Sequence, residues 1–412
     1  MDVLVERCAG LDVHRDTVVA TVRVPSTRRG QRHQETRTFA TTVRQLEALG
    51  DWLATFAVTL VAMEATGVYW KPVFAVLEQR FGCWLLNAQH LHNVPGRKTD
   101  VADSAWICQL LEHGLVRPSF VPPQEVRDLR ELTRLRKAQV EERTRTIQRV
   151  EKVLHDSGIK LTSVASQVYS KSARAMLEAL MAGTTDPHEL AELAKGRLRS
   201  KRPRLVEALA NRFRVEHHGV LVAGLLAHID SLENTIAGLD ARVAEGLAPV
   251  AELVELVCTI PGVSDRTAQV LLAECGWDMS VFASSANLAS WAGICPGNNA
   301  SGGKQKSGQT RRGPKWLRLA LTEAAHSAAR TKGTYLAAHH AQVRGRRGPA
   351  KAIGVTRHDI LVAFYYIVRD QVPYRELGPD WAARRYSVEH RTNRLLRQLE
   401  ALGMNVTVQP AT

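Results

Sequence analysis

The segment Val58-Thr59-Leu60-Val61-Ala62-Met63-Glu64-Ala65 is apolar almost without interruption. It is far shorter than the ~20 residues of a membrane span, and its length suits a strand better than a helix. A run of this kind belongs in the middle of a sheet, where both faces are covered. Its neighbours supply the rest of such a sheet. RCAGLDVHRDTVVATVRV reads as two strands joined by a tight polar turn at residues 14–16, and RHQETRTFATT as a third. VRQLEALGDWLATF has helical spacing, a helix is expected from about Val68, a strand at CWLLNA, and a helix from about Asp100 to His113.

Three successive strands followed by alternating helix and strand is the order of a ribonuclease-H-like (RuvC-like) α/β domain, expected over residues 1–118. Other α/β folds share the pattern. From about Pro122 the pattern turns helical. Val222, Leu225, Ile229, Leu232, Ile236, Leu239 and Val243 recur at alternating spacings of three and four, a seam of about three heptads. A coiled coil over 119–250 is the expectation, as an intrachain hairpin or as a dimer contact. One amphipathic helix packed in its own domain would show the same spacing. The helix carrying Leu129, Leu132, Val140, Ile147, Val150 and Leu154 is a candidate partner, though Arg136 and Arg143 interrupt its stripe, and Pro203 with its basic surroundings marks a break. A third, helical unit is expected over 251–376. It opens with a helix-hairpin-helix pattern, VCTIPGVSDRTAQVLLAECG, in which Gly262 opens the turn and Ser264 or Asp265 caps the second helix. Helices are expected again at 314–329 and 360–369, and residues 377–412 read as a basic tail with a short helix at 393–402.

The chain has 412 residues with 55 Lys and Arg against 41 acids, a formal net charge of +14. Its 45% hydrophobic content excludes wholesale disorder. The six cysteines stand singly without C-x-x-C spacing, which argues against a zinc site or a disulfide scaffold. The N-terminus lacks a signal-peptide pattern, so a cytoplasmic protein with no membrane partner is expected. Excess base faces a polyanion. It gathers at Lys195–Arg204, Lys304–Arg318 and Arg344–Lys351, with Arg favoured over Lys, as bidentate phosphate contact prefers.

Two acids sit in apolar strands, Asp12 in Ala-Gly-Leu-Asp-Val and Glu64 at the end of Leu-Val-Ala-Met-Glu. An isolated buried carboxylate costs several kcal/mol unless paired or bound to metal. Asp100 and Asp103 lie three apart and would share one side of a helix start, where a capping acid beside a surface acid is the plainer alternative. Together the four offer the hard oxygen ligands that two Mg²⁺ ions require, and a two-metal site suits phosphodiester chemistry. A second constellation is the Gly-rich basic loop Gly297–Gly308, in which Ser301 could bind a phosphate or attack one. Gly302, Gly303, Lys304, Lys306, Arg311, Arg312 and Lys315, together with Gly262, are candidate nucleic-acid contacts.

The ordered set AGLDVH, VAMEATGVYW, GRKTDVADSAWI, IPGV…TA and GICPGNNASGGK…RRGPKWLR resembles the DEDD-type insertion-sequence transposases, the family called IS-one-ten in words, from about residue 7 to 330. The resemblance places the family's acidic tetrad on Asp12, Glu64, Asp100 and Asp103, as Mg²⁺ ligands, and its catalytic serine on Ser301. It implies a recombinase in which Ser301 forms a phosphoserine link with DNA. It further implies a non-coding bridge RNA that pairs with donor and target DNA, and a dimer or a tetramer built as a dimer of dimers, with the serine of one protomer serving the carboxylates of another. The heptad run would suit such dimers. Two alternatives keep most of these residues: a RuvC-like junction resolvase with water as nucleophile, and a non-catalytic nucleic-acid-binding protein.

Overall fold

The computed structural model describes residues 2–28, 31–65, 67–87, 91, 103–295, 299–301, 304–307, 310–311, 313–381 and 388–404. These form two compact units, Met1–Val121 and Pro122–Thr412.

The first unit holds β1 (Cys8–Val13), β2 (Thr17–Pro25), β3 (Arg32–Ala40), α1 (Val43–Thr55), β4 (Leu60–Glu64), α2 (Trp70–Leu77), β5 (Gly82–Leu86) and α3 (Asp103–Glu112). The sheet order is β3-β2-β1-β4-β5. β1, β2 and β3 are antiparallel neighbours, whereas β4 runs parallel to both β1 and β5. Alternation along the central strands divides their side chains between two cores. Ala9, Leu11, Val13, Val61 and Met63 meet Leu46, Leu49 and Leu53 of α1 and Val73, Phe74 and Leu77 of α2. Cys8, Ala62 and Leu86 meet Ile107, Cys108 and Leu111 of α3 on the opposite face. β4 is therefore covered on both sides, which is why its sequence does not alternate.

The second unit is mostly helical: α4 (Gln124–Asp156), α5 (Lys171–Met181), α6 (Pro187–Glu192), α7 (Arg202–Ala208), α8 (Val220–Leu247), α9 (Ala251–Cys258), α10 (Asp265–Cys275) and α11 (Ser285–Trp291) precede a short hairpin of β6 (Asn299–Ser301) and β7 (Lys304–Ser307). After it come α12 (Lys315–Ala328), α13 (Tyr335–Arg347), α14 (Pro349–Asp370) and α15 (Val388–Glu400). The helices on either side of residue 250 belong to this one unit.

α4 and α8 pack against each other along their lengths. They are antiparallel: Leu129 meets Gly246, Arg136 pairs with Asp240, and Arg143 reaches Glu233 at 3.5 Å. The arginines that interrupt the apolar stripe of α4 thus cross to acids on α8. On α8 the buried positions are Val222, Leu226, Ile229, Leu232, Ile236 and Val243. Leu226 takes the place expected for Leu225, and Leu239 is half-buried. This seam is covered within the chain, so it gives no reason to expect a dimer. Between the two long helices, Met176, Leu177 and Leu180 of α5, Leu190 of α6 and Leu205 of α7 close a core with Val150 and Leu154. Pro203 stands in the first turn of α7, where its missing N–H removes no helical hydrogen bond. The stretch Val215–Cys258 is long and apolar enough to cross a membrane by length and composition alone. Asp230, Glu233, Asp240, Arg242 and Glu245 nonetheless punctuate it.

α10 is tied to α4 by charge. Glu274, 1% exposed, accepts from Arg134 Nε and Nη2 at 2.7 and 2.8 Å, and Arg130 donates to the carbonyls of Ala273 and Glu274. Removing one member of such a pair strands buried charge. Glu274→Ala is expected to lower unfolding free energy by about 3–5 kcal/mol in a urea titration of the full chain.

Candidate active site

Register brings the first two acids together. Leu11 pairs with Met63 across β1 and β4, so the next residues on these parallel strands are Asp12 and Glu64. Period-two alternation puts both on the face covered by α3. Asp12 keeps 22% of its side chain exposed and lies 3.1 Å from His14 Nε2, and Glu64 is half-buried.

The direction of α3 places the third acid. At its C-terminal end, the carbonyl of Glu112 accepts from the Leu4 and Val5 amides, and Cys108 Sγ lies 3.7 Å from Cys8 Sγ. Ser104, near its start, sits over Gly10. α3 therefore runs antiparallel to β1, and its first residue, Asp103, lies at the end of the helix nearer the strand ends that carry Asp12 and Glu64. Gly10 makes this possible. A β-carbon there would lie 2.3 Å from the Ser104 carbonyl oxygen and 2.4 Å from the Cys108 nitrogen. Hydroxyls hold the helix start in place: Ser104 Oγ and Thr21 Oγ1 are 2.8 Å apart, as are Thr21 Oγ1 and Thr36 Oγ1.

Asp100 falls outside the described residues. Among those described, no group of three or more His, Cys, Asp or Glu side chains is gathered closely enough to hold a metal ion. The donors at this end of the sheet are hard carboxylate oxygens, the chemistry a Mg²⁺-type cation accepts.

Farther along α3, Glu112 is fully buried and is paired by Arg23 at 2.8 Å and by Arg32. The neighbouring thiols divide: the hydrogen bond from Cys108 draws Cys8 below the usual thiol range, whereas burial pushes Cys108 well above it.

The second constellation lies in the other unit. Ser301 ends β6 and pairs with Lys304 of β7, while Gly302 and Gly303 between them lie outside the described residues. The hairpin has an irregularity at Asn299/Ala300: Asn299 opposes Ser307 and Ala300 opposes Gln305, leaving Lys306 as the extra residue of β7. Backbone contact closes the base of this excursion. Gly293 has φ +65, and a β-carbon on Gly313 would lie 1.9 Å from the Ala292 carbonyl oxygen. Arg311 donates to Ser290 Oγ, Lys315 is exposed at the start of α12 with its ammonium 5.2 Å from the Trp316 ring, and Arg312 lies outside the described residues. Gly262 has φ +85 in the turn between α9 and α10, and Ser264 caps α10 by accepting from the Thr267 amide. The space a Gly262 side chain would fill is occupied by α12 backbone, 2.3 Å from Ala328 N, so internal packing by itself requires glycine there.

The sequence reading did not single out Gly10 or His14. Both carry a signal. Gly10 stands two residues before Asp12 and so shares its face of β1, where a lone glycine marks a close approach, and His14 follows just beyond the end of the strand.

Comparison with known proteins gives two family matches. Residues 9–158 match the DEDD-type IS110 model described as "Transposase", and residues 254–341 match "Transposase IS116/IS110/IS902 family". The first segment contains all four acids and the second contains Ser301. A curated relative from Pseudomonas aeruginosa, "Probable family 20 transposase", is 26% identical over 302 residues, covering 72% of this chain and 79% of its own length.

Gly10→Ala should force α3 off β1. The expected cost is at least about 1–3 kcal/mol of stability by urea titration, with a loss of activity larger than that destabilisation explains.

Proposed function

Because the chain belongs to the IS110 family of transposases, enzymes that cleave and rejoin DNA, we propose that it moves an insertion sequence through a phosphoserine intermediate. The observation that carries the reading is the antiparallel placement of α3 on β1, which sets its first residue, Asp103, nearer the end of the sheet where Asp12 and Glu64 stand side by side. The order β3-β2-β1-β4-β5 supports a RuvC-like assignment for this unit.

In this proposal the Ser301 Oγ attacks a DNA phosphorus, a new P–O bond forms, the bond to the 3′ oxygen breaks, and that oxygen leaves with the serine proton. The reverse step, attack by another strand's 3′-hydroxyl, releases the serine and rejoins DNA without an external energy source. Asp12, Glu64, Asp103 and Asp100 would hold the divalent metal, two Mg²⁺ in our reading, which supplies charge stabilisation to the attacking and leaving oxygens. The closed base at Gly293 and Gly313 holds the Ser301 hairpin on the α11–α12 frame. Lys304, Lys306, Arg311, Arg312 and Lys315, with the Gly302-Gly303 turn and Gly262, would lie along phosphodiester backbone.

A bridge RNA would choose the donor and target sites by base pairing, leaving the protein to read backbone and shape. The excess of base and the 6% aromatic content suit that division of labour. A dimer or a dimer of dimers, joining the serine of one protomer to the acids of another, belongs to the same proposal, and so does action on DNA in the cytoplasm.

The test is a covalent-adduct assay. The full chain is expressed with its native flanking non-coding DNA, supplied with donor and target duplexes and Mg²⁺, then denatured. Protein-linked DNA is expected, reduced at least about a thousandfold in Ser301→Ala, Asp12→Asn and Asp103→Asn, and absent with EDTA. Cleavage without an adduct, unchanged in Ser301→Ala, would instead assign water as the nucleophile and make the enzyme a hydrolytic nuclease.

A further inference from the structure

The helices of the second unit neutralise most of the cations they bring inward. Arg134 closes on Glu274, Arg136 and Arg266 share Asp240, Lys137 meets Glu323 at 2.8 Å, and Arg174 meets Asp230 at 2.7 Å. Arg318 and Arg357 break this rule. They stand on α12 and α14, which pack together, and both are half-buried. Neither has an acidic partner among the described residues. Arg357 donates from Nη1 to Thr322 Oγ1 at 3.4 Å, and that hydroxyl gives its own hydrogen to the Arg318 carbonyl at 2.6 Å. Arg357 Nε is buried with no hydrogen-bond partner among the described residues.

Thr322 touches both residues, Arg357 through its guanidinium and Arg318 through its backbone carbonyl. Burial first, and then the neighbouring Arg318 cation, hold Arg357 below the usual guanidinium range. A half-buried cation facing another cation, with a donor left over, is unfavourable alone and becomes favourable when an anion accepts from both. The fork of an arginine matches a phosphate, and paired forks match it better than two ammonium groups would. The surroundings add to the positive potential. Arg344, Arg346 and Arg347 at the end of α13 and Lys351 at the start of α14 are exposed and have no acidic partner among the described residues. Position also matters. α12 leaves the closed foot of the Ser301 excursion at Gly313, and Arg318 lies in its first turn.

We propose that Arg318 and Arg357, with Thr322 between them, form a phosphodiester-binding site that grips a nucleic-acid backbone beside the foot of the Ser301 hairpin. The inference rests on the reading that this unit handles nucleic acid, and it adds a site which that reading did not contain.

The test uses the full chain, a labelled DNA duplex and a labelled single-stranded RNA of equal length, with affinity measured between about 50 and 200 mM salt. Arg318→Gln and Arg357→Gln should each weaken binding about three- to tenfold and lower the slope of log K against log salt by about 0.9. Their thermal midpoints should hold or rise, because an unsatisfied cation has been removed. Inorganic phosphate should raise the midpoint of the native chain but not that of Arg357→Gln. A loss seen only with the duplex assigns the site to DNA, and one seen only with RNA assigns it to the guide. Unchanged affinity and slope in both variants, with an undiminished phosphate shift, would overturn the proposal. A native protein that binds through these arginines yet forms no adduct would count against the phosphoserine mechanism alone.

Discussion

One missing side chain sets the geometry of the acid site. α3 lies on β1 at backbone distance because Gly10 has no β-carbon to hold it away. The contact does two things at once. It buries the α3 face that meets Ala62 and Leu86, and it carries the start of the helix to the end of the sheet where Asp12 and Glu64 emerge. The Ser104–Thr21–Thr36 hydroxyls then hold that start in register with β2 and β3. A bulkier strand residue would keep the sheet but lose the close approach that sets the start of α3 at the same end of the sheet as Asp12 and Glu64.

Charge governs the second unit as apolar packing governs the first. α4 is too arginine-rich to make a continuous hydrophobic seam, and its arginines answer acids on α8 and α10 instead. Surface ion pairs contribute little, but Glu274 is almost wholly buried and its arginines are partly so, which makes these contacts selective for one packing. Since so many cations are matched internally, the net charge of +14 overstates what a polyanion meets along α4 and concentrates it elsewhere. Among the described residues, half-buried Arg318 and Arg357 and the exposed cations at the α13–α14 joint are part of the charge left unmatched.

Much of the first unit was legible because a strand's inward and outward residues are written in its alternation. The run ending at Glu64 was expected inside the sheet, and β4 lies between β1 and β5. The long helices were legible from their spacing, but their partners were not. Leu225 and Leu226 fit the heptad almost equally, and only the face of α4 decides that Leu226 is buried. α13 was missed because Arg344–Lys351, with two glycines and a proline, reads as a loop. Its arginines in fact finish one helix, and Gly348 turns the chain with φ +82 into the next. The Ser301 segment likewise reads as a Gly-rich loop, whereas it pairs with Lys304 in a hairpin.

The sequence by itself determined which residues are candidates for chemistry and that the Leu60–Glu64 strand lies inside the sheet rather than at its edge. Acid identity and hydrophobic period are local properties that no partner alters. Only the tertiary structure decided that Asp12 and Glu64 are neighbours, that α3 runs back along β1, and that the α8 seam faces its own chain. It also decided which arginines meet acids and which do not. These are questions of register, direction and pairing between segments far apart in sequence, and their energies come from contacts that exist only once the chain has closed on itself.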